Sequence, residues 1–267
     1  MPSVSNIAIG SNLAAAAANK ARHGMNESIA RLSTGIRAMY GGDAAGHSVA
    51  TTHAAEGKSY AAATRNIEDG ISYLQTGESV LLEVANLATR LRELGIQADN
   101  AALLATATQV AAMNSEAALI GDTIDAILDK TDFNTVEVVD SAGAKTVAVN
   151  YVGEASGTTF TTGPGVAITA MGNITAAAGA DGTADTMLGK LAEALGNIAA
   201  DLTALKAFQG AASATSANLM ASSARLMDTD YALETANLTK NSILNQAALS
   251  MAAQANQAQS AILSVLQ

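Results

Sequence analysis

Cysteine is absent from all 267 residues, which removes disulfides, thiolate nucleophiles and the commonest structural zinc sites together. Tryptophan is absent too, and there are only three Phe and five Tyr. A globular core of this size draws much of its buried area from large aromatics. The 49% hydrophobic content, dominated by Ala, therefore points to long helices packed closely side by side. Proline is confined to Pro2 and Pro164, so residues 3–163 contain no helix-breaking ring. No uninterrupted apolar run approaches the roughly 20 residues that span a bilayer, and no membrane insertion is expected. A secretory signal is not expected either, since the first basic side chain is Lys20. The net charge of −10 argues against nucleic acid as a partner, because phosphate binding needs clustered Lys and Arg. No P-loop, dinucleotide-binding glycine motif or nucleophile elbow occurs, so neither an enzyme nor a cofactor is expected. His47 and His53, near Asp43 and Glu56, lie six residues apart, which matches no standard helical ligand pair, and no metal is expected there.

Charge itself is missing at both ends. Residues 1–19 carry no charged side chain, and neither do residues 241–267, so all formal charge lies between Lys20 and Lys240. Two chargeless ends on an acidic chain suggest a shared environment. The 27-residue tail holds eight Ile, Leu, Val and Met residues, too few to offset the entropy of ordering it alone. It is expected to be mobile in a monomer and to order only when surrounded on several sides. Its Gln, Asn and Ser suit that setting, since amides pair between helices without a desolvated ion.

Between the ends, periodicity predicts helices. Met25, Ile29, Leu32, Ile36 and Met39 follow a 4-3-4-3 spacing that places them on one helix face, and the glycines at 41–42 end that helix. A second periodic stretch runs over 54–98 through Ile67, Ile71, Leu74, Leu81, Val84, Leu87, Leu91 and Leu94, and a third helix is expected over 101–129. The β-branched runs at 135–140 and 145–153, separated by "SAGA", predict a hairpin, and the Thr- and Gly-rich stretch up to 185 reads as loop-rich β segment. Leu188, Leu191, Leu195, Ile198, Leu202 and Leu205 then form an unbroken 3-4-3-4-3 seam, which continues more weakly through Leu219, Leu226 and Leu233 into the tail. The expected fold is mainly α: a long antiparallel helical hairpin or coiled-coil bundle, its terminal helices paired, with a small β-hairpin-containing central insert.

Several motifs in this order resemble bacterial flagellins. "RLSTGIRAMYGGDAAG" (31–46) is similar to that family's N-terminal signature, "RNIEDGISYLQTGESVL" (65–81) and "LRELGIQA" (91–98) to its following segments, and "DFNTVEV" (132–138) to its turn into a hairpin. Residues 224–267 match the flagellin C-terminus nearly throughout, most tellingly in "AQANQ" and "ILSVLQ". Departures are local: Gly42 stands where an Asp is usual, Ala258 where a Pro is frequent, and Gln267 where a final Arg is frequent. A hook–filament junction protein shares the N-terminal pattern and is the alternative reading; the tail discriminates against it.

The resemblance implies a structural subunit of the flagellar filament, exported unfolded through the flagellar type III channel and polymerised outside the cell. It implies that residues 1–44 with 226–267 form inner-core helices, 45–133 with 186–225 the surrounding helical layer, and 134–185 a surface insert. Ile7, Ile9, Leu13, Leu249, Met251, Ile262, Leu263, Val265 and Leu266 would pack in the inner core. Implied partners are further copies of the chain, an export chaperone at the C-terminal segment, and the filament cap and hook-junction proteins. A vertebrate Toll-like receptor is a further implied partner, with Arg90, Leu94 and Glu116 as its contacts.

Overall fold

The computed structural model describes residues 2–37, 43–100, 106–139, 145–152, 159–168, 170–172 and 174–265, without the side chains of 2–8, 259, 262, 263 and 265. Five helices, α1 (Pro2–Thr34), α2 (Ala44–Asp99), α3 (Ala107–Lys130), α4 (Ala180–Met227) and α5 (Tyr231–Val265), and four short strands make up the described fold. Its contacts divide into two units, one of Met1–Ala54 with Met220–Gln267 and one of Ala55–Leu219.

The second unit holds the larger core, and its helices carry a seven-residue repeat. Along α2 the buried residues Ala63, Ile67, Gly70, Leu74, Gly77, Leu81, Val84, Ala88, Leu91, Gly95 and Ala98 form a 4-3 alternation kept without a break, with Tyr73 and Leu94 buried beside it. Such a 3.5-residue period holds one stripe against neighbouring helices, as in a left-handed coiled coil. α3 adds Ala117, Gly121, Ile124 and Leu128. The stripe includes glycines where another segment comes too close for a side chain. A Cβ on Gly70 would lie 2.7 Å from Val149 Cγ2, and one on Gly95 would strike the backbone of Asp181.

On α4 the buried stripe differs from the predicted seam. Leu191, Ile198 and Leu205 are buried, but Leu188, Leu195 and Leu202 are only partly so. Ala184 and Ala212 extend the heptad position of Leu191, Ile198 and Leu205, and the alternate inward positions belong to Met187 and Ala194. Leu188, Leu195 and Leu202 pack against the edge of this stripe.

The insert also departs from expectation. β1 (Asp132–Phe133) pairs antiparallel with β2 (Val136–Glu137), and β3 (Val147–Asn150) with β4 (Thr159–Thr162), in the register Val147↔Thr162 to Asn150↔Thr159. Among the described residues the predicted pairing of 135–140 with 145–153 does not form; its "SAGA" turn lies outside them. Asn134 and Thr135, at φ 50° and 66°, make the two-residue connection of β1 and β2, the left-handed conformation that a tight hairpin demands. From 163 to 179 the described residues form no strand. Helix-borne side chains satisfy this segment's backbone instead. Asp201 accepts from Thr162 Oγ1 and Gly163 N–H (both 3.0 Å), Asp125 from Met171 N–H (2.7 Å), and Asn114 from Ala177 N–H (2.8 Å). The few aromatics gather here: Tyr151 stacks on Phe208 at 4.2 Å between centroids, Phe160 meets the same ring edge-on, and Tyr73 meets Phe133.

In the first unit, α1 ends at Thr34, not at the glycines of 41–42. Gly35 adopts φ +72° and donates its N–H to the Arg31 carbonyl at 2.8 Å, a left-handed helix stop. Ile36 therefore leaves the helical face predicted for it and forms a β-bridge with Asp228. Met39 lies outside the described residues. The run from α4 into the tail, predicted as continuous, also breaks, at 228–230. Asp230 Oδ1 accepts the N–H groups of Ala232 and Leu233 (2.9 and 3.2 Å) and so caps the start of α5.

Two stability measurements follow from this packing. Leu191→Ala should cost about 2–5 kcal/mol in urea unfolding, and Leu195→Ala clearly less, because only the first empties a fully buried site. Thr135→Gly should stabilise the chain by about 1 kcal/mol, since a β-branched residue is strained in the left-handed region.

Candidate assembly interface

α1 and α5 run antiparallel, and their contact is made of small side chains. Ala14, Ala18, Ala21 and Ser28 are buried on α1, with Ala248 and Glu234 on α5. Small residues let the helices approach so closely that a Cβ on Gly24 would lie 2.6 Å from Asn241 Nδ2. The ion pair of Arg31 with Glu234 (3.7 Å) sits nearer the helix breaks, where Glu234 is almost covered. Beyond it the breaks are fastened together: Arg37 N–H donates to the Met227 carbonyl (2.7 Å), Thr229 N–H to the Gly35 carbonyl (2.9 Å), and Arg37 Nη2 to the Leu226 carbonyl (3.1 Å).

The large aliphatic side chains of this pair face outward. Ile9 is 58% exposed, Leu13 71%, Ile243 61%, Leu249 48% and Met251 65%. Four of the expected inner-core residues, Ile9, Leu13, Leu249 and Met251, thus lie on an uncovered apolar surface in the single chain. The side chains of Ile7, Ile262, Leu263, Val265 and Leu266 lie outside the described residues. An apolar groove of about 840 Å³ runs along the pair, walled by Leu13, Ala14, Ala17, Leu244 and Met251 and flanked by Lys20 and Lys240. No helix among the described residues is long and apolar enough to cross a membrane. An exposed apolar face on chargeless helices is the kind of surface that marks an association site.

Charge divides with the units. The first carries six Lys and Arg against five Asp and Glu, a net +1; the second carries eight against nineteen, a net −11. The acidity of the chain therefore belongs entirely to the second unit, which leaves the apolar face free of net repulsion.

The residues singled out for receptor contact occupy different environments. Arg90 bonds Glu116 through Nε (3.0 Å) and Nη2 (2.7 Å) and Glu93 through Nη1 (3.3 Å). These bonds, Glu116 first, raise its guanidinium pKa further above its ordinary value. Leu94 is 1% exposed and belongs to the core, so in this chain it presents no surface to a partner. His53 Nδ1 lies 3.1 Å from Ser222 Oγ, and among the described residues no three His, Asp or Glu side chains converge as a metal site.

Sequence reasoning missed the small-residue seam of the α1–α5 pair, because alanines give no periodic contrast in an Ala-rich helix. The signal available was spacing: Ala14, Ala18, Ala21 and Ser28 stand 4, 3 and 7 residues apart. Ala21→Leu should force the two helices apart at a cost of about 1–3 kcal/mol. Limited proteolysis checks this, with faster cleavage in both α1 and α5 as the expected result.

Residues 5–144 match the bacterial flagellin N-terminal helical region, and residues 181–266 match the bacterial flagellin C-terminal helical region. A flagellin of Halalkalibacterium halodurans is 34% identical over 249 residues, covering 88% of this chain and 89% of the relative. One from Bacillus subtilis is 29% identical over 275 residues, covering 88% and 90%. A flagellar filament 33 kDa core protein of Treponema phagedenis is 29% identical over 267 residues, covering 91% and 92%.

Proposed function

The chain belongs to the bacterial flagellin family and is a subunit of the flagellar filament outside the cell; from that premise we propose that assembly proceeds by covering the apolar face of α1 and α5 with further copies of the chain. The observation that carries this reading is the exposure of Leu13, Ile243, Leu249 and Met251 on two helix segments without a charged side chain. A soluble chain leaves such a surface open only when something else is to cover it. The hook–filament junction alternative finds no support, since the relatives named are flagellins and a filament core protein.

In this reading residues 1–44 and 226–267 form the inner tube of the filament. Residues 45–133 with 186–225 form the layer around it, and 134–185 lie at the surface. The chain leaves the cell unfolded through the flagellar export channel. Its terminal helices, joined along most of their length by an alanine seam, are marginal in a lone copy and become fixed only when neighbours surround them. The same exposed tail is what an export chaperone would cover beforehand, and the filament cap would receive it at the growing tip. The protein is structural: its work is to pass torque along a helical polymer.

The test separates folding from assembly. Leu249 is half exposed in the single chain, so Leu249→Asp should change its unfolding free energy by no more than about 0.5 kcal/mol. In the filament the same carboxylate would be buried without a partner, a cost of several kcal/mol. Sedimentation and negative-stain microscopy should then find soluble, folded protein and no filaments. A normal filament yield would exclude Leu249 from the buried inner tube.

A further inference from the structure

We propose that the Met251 thioether is an oxidation site that decides whether a chain can join the polymer. A peroxide converts it to the sulfoxide while the chain is unassembled, and the oxidised chain is then refused. The effect on assembly rests on the filament reading above; the reactivity of the free side chain does not.

Accessibility singles this residue out. Among the described residues Met251 is the most exposed methionine, at 65%, ahead of Met220 at 43%. Met25, Met113 and Met227 are half-buried, and Met171 and Met187 belong to the core of the second unit. Fraying of α1 from α5 opens Met251 further, so its exposure does not require the helix pair to be closed in a lone chain.

The chemistry consumes nothing besides the peroxide. A sulfur lone pair attacks one peroxide oxygen, the O–O bond breaks and an S–O bond forms. Sulfur gives up two electrons and the peroxide takes them. With hydrogen peroxide, the departing hydroxide collects the proton left on the transferred oxygen and leaves as water. The product is methionine sulfoxide, which a thiol-dependent reductase can return to the thioether.

The surroundings give this change its consequence. Met251 is the only sulfur in the 27-residue segment 241–267 that carries no charged side chain. One turn away on α5 stand Ala247, Ala248 and Ala255, and Gln254 is the single hydrogen-bonding side chain at that spacing. A thioether there is an apolar group that adapts to irregular packing. A sulfoxide is polar and chiral, and its oxygen needs a donor. Water supplies one in the free chain. Enclosed by apolar faces of further copies, the oxygen competes for Gln254 or goes unpaired, which opposes burial. The same enclosure, once made around an intact thioether, keeps peroxide away. Met251 is therefore reactive before assembly and protected after it, so an oxidant halts growth and leaves existing filaments whole.

The test oxidises the full-length, unassembled chain with hydrogen peroxide to less than one oxygen per chain and then polymerises it. Peptide mass spectrometry reads the sulfoxide at each methionine in pelleted filaments and in the supernatant. Met251 should oxidise at least tenfold faster than Met171 or Met187, and its sulfoxide should be at least tenfold depleted in the filaments. Methionine sulfoxide reductases with a thiol reductant should restore polymerisation to the supernatant chains. Met251→Leu should go on polymerising after the same treatment. Entry of the Met251 sulfoxide into filaments in its solution proportion would overturn the proposal, as would an unchanged block in Met251→Leu or one that reduction does not lift. Peroxide added to finished filaments separates this proposal from the filament reading. Met251 as reactive there as in the free chain would mean that it is not covered, and both would fall. Met251 protected there, with oxidised chains still entering, would overturn the proposal alone.

Discussion

In a pair of helices each has one neighbour, so one stripe of each is covered and the remainder faces water. α1 and α5 fill that stripe with Ala14, Ala18, Ala21 and Ala248, which bury little area but bring the backbones close. The residues that would contribute most on burial, Leu13, Ile243, Leu249 and Met251, stand outside it. At about 1.5–3 kcal/mol for each side chain fully buried, the larger share of the available hydrophobic free energy is withheld from the single chain. It is released only when further helices close around the pair. The same limit accounts for the missing charges: a surface awaiting several neighbours can hold Asn, Gln and Ser, but an ion there would require a partner from another copy in each contact.

The net charge of the second unit complements this arrangement. Nineteen acidic side chains against eight basic ones keep that unit soluble and mutually repelling, whereas the first unit is nearly neutral. Association is thereby directed to the one surface where repulsion is weak and apolar area is open. Within the second unit the acidic residues also have local work. Asp201 and Asp125 hold the backbone of the 162–171 segment through charge-assisted bonds of 2.7–3.0 Å, in place of a neighbouring strand.

Much of this was legible in the sequence, and what was not has definite physical causes. The long helices follow from a 3.5-residue period in stretches without interior proline, and the chargeless ends marked the helices that pair. Periodicity failed where it was read through a helix stop. Ile36 and Met39 keep the phase of Met25, Ile29 and Leu32, so the doubled glycine at 41–42 looked like the end. The left-handed Gly35, one residue after Thr34, is the actual stop. On α4 the expected seam lies at the core but not all of it at the centre: Leu191, Ile198 and Leu205 are buried, Leu188, Leu195 and Leu202 pack at its edge, and Met187 and Ala194 take the inward positions between. The hairpin failed because strand propensity says which residues extend and not which of them pair; Thr159–Thr162 carried no stronger signal than 135–140.

Alanine seams have a weakness that the helix breaks correct. A stripe of near-identical small residues can slide by one turn with little change in contact, so it specifies closeness without specifying register. Register in the α1–α5 pair is fixed from one end. The Ile36↔Asp228 bridge and the bonds from Arg37 to Met227 and Thr229 to Gly35 tie the two breaks together. Going outward, Arg31 meets Glu234 and Gly24 meets Asn241. From Arg31–Glu234 to Gly24–Asn241 the number on α1 falls by seven and the number on α5 rises by seven, so one offset, within a residue of that at the bridge, is carried along the helices. The exposed leucines and methionines beyond it are thus presented in a single pattern, which a polymer requires if every copy is to meet its neighbours in the same way.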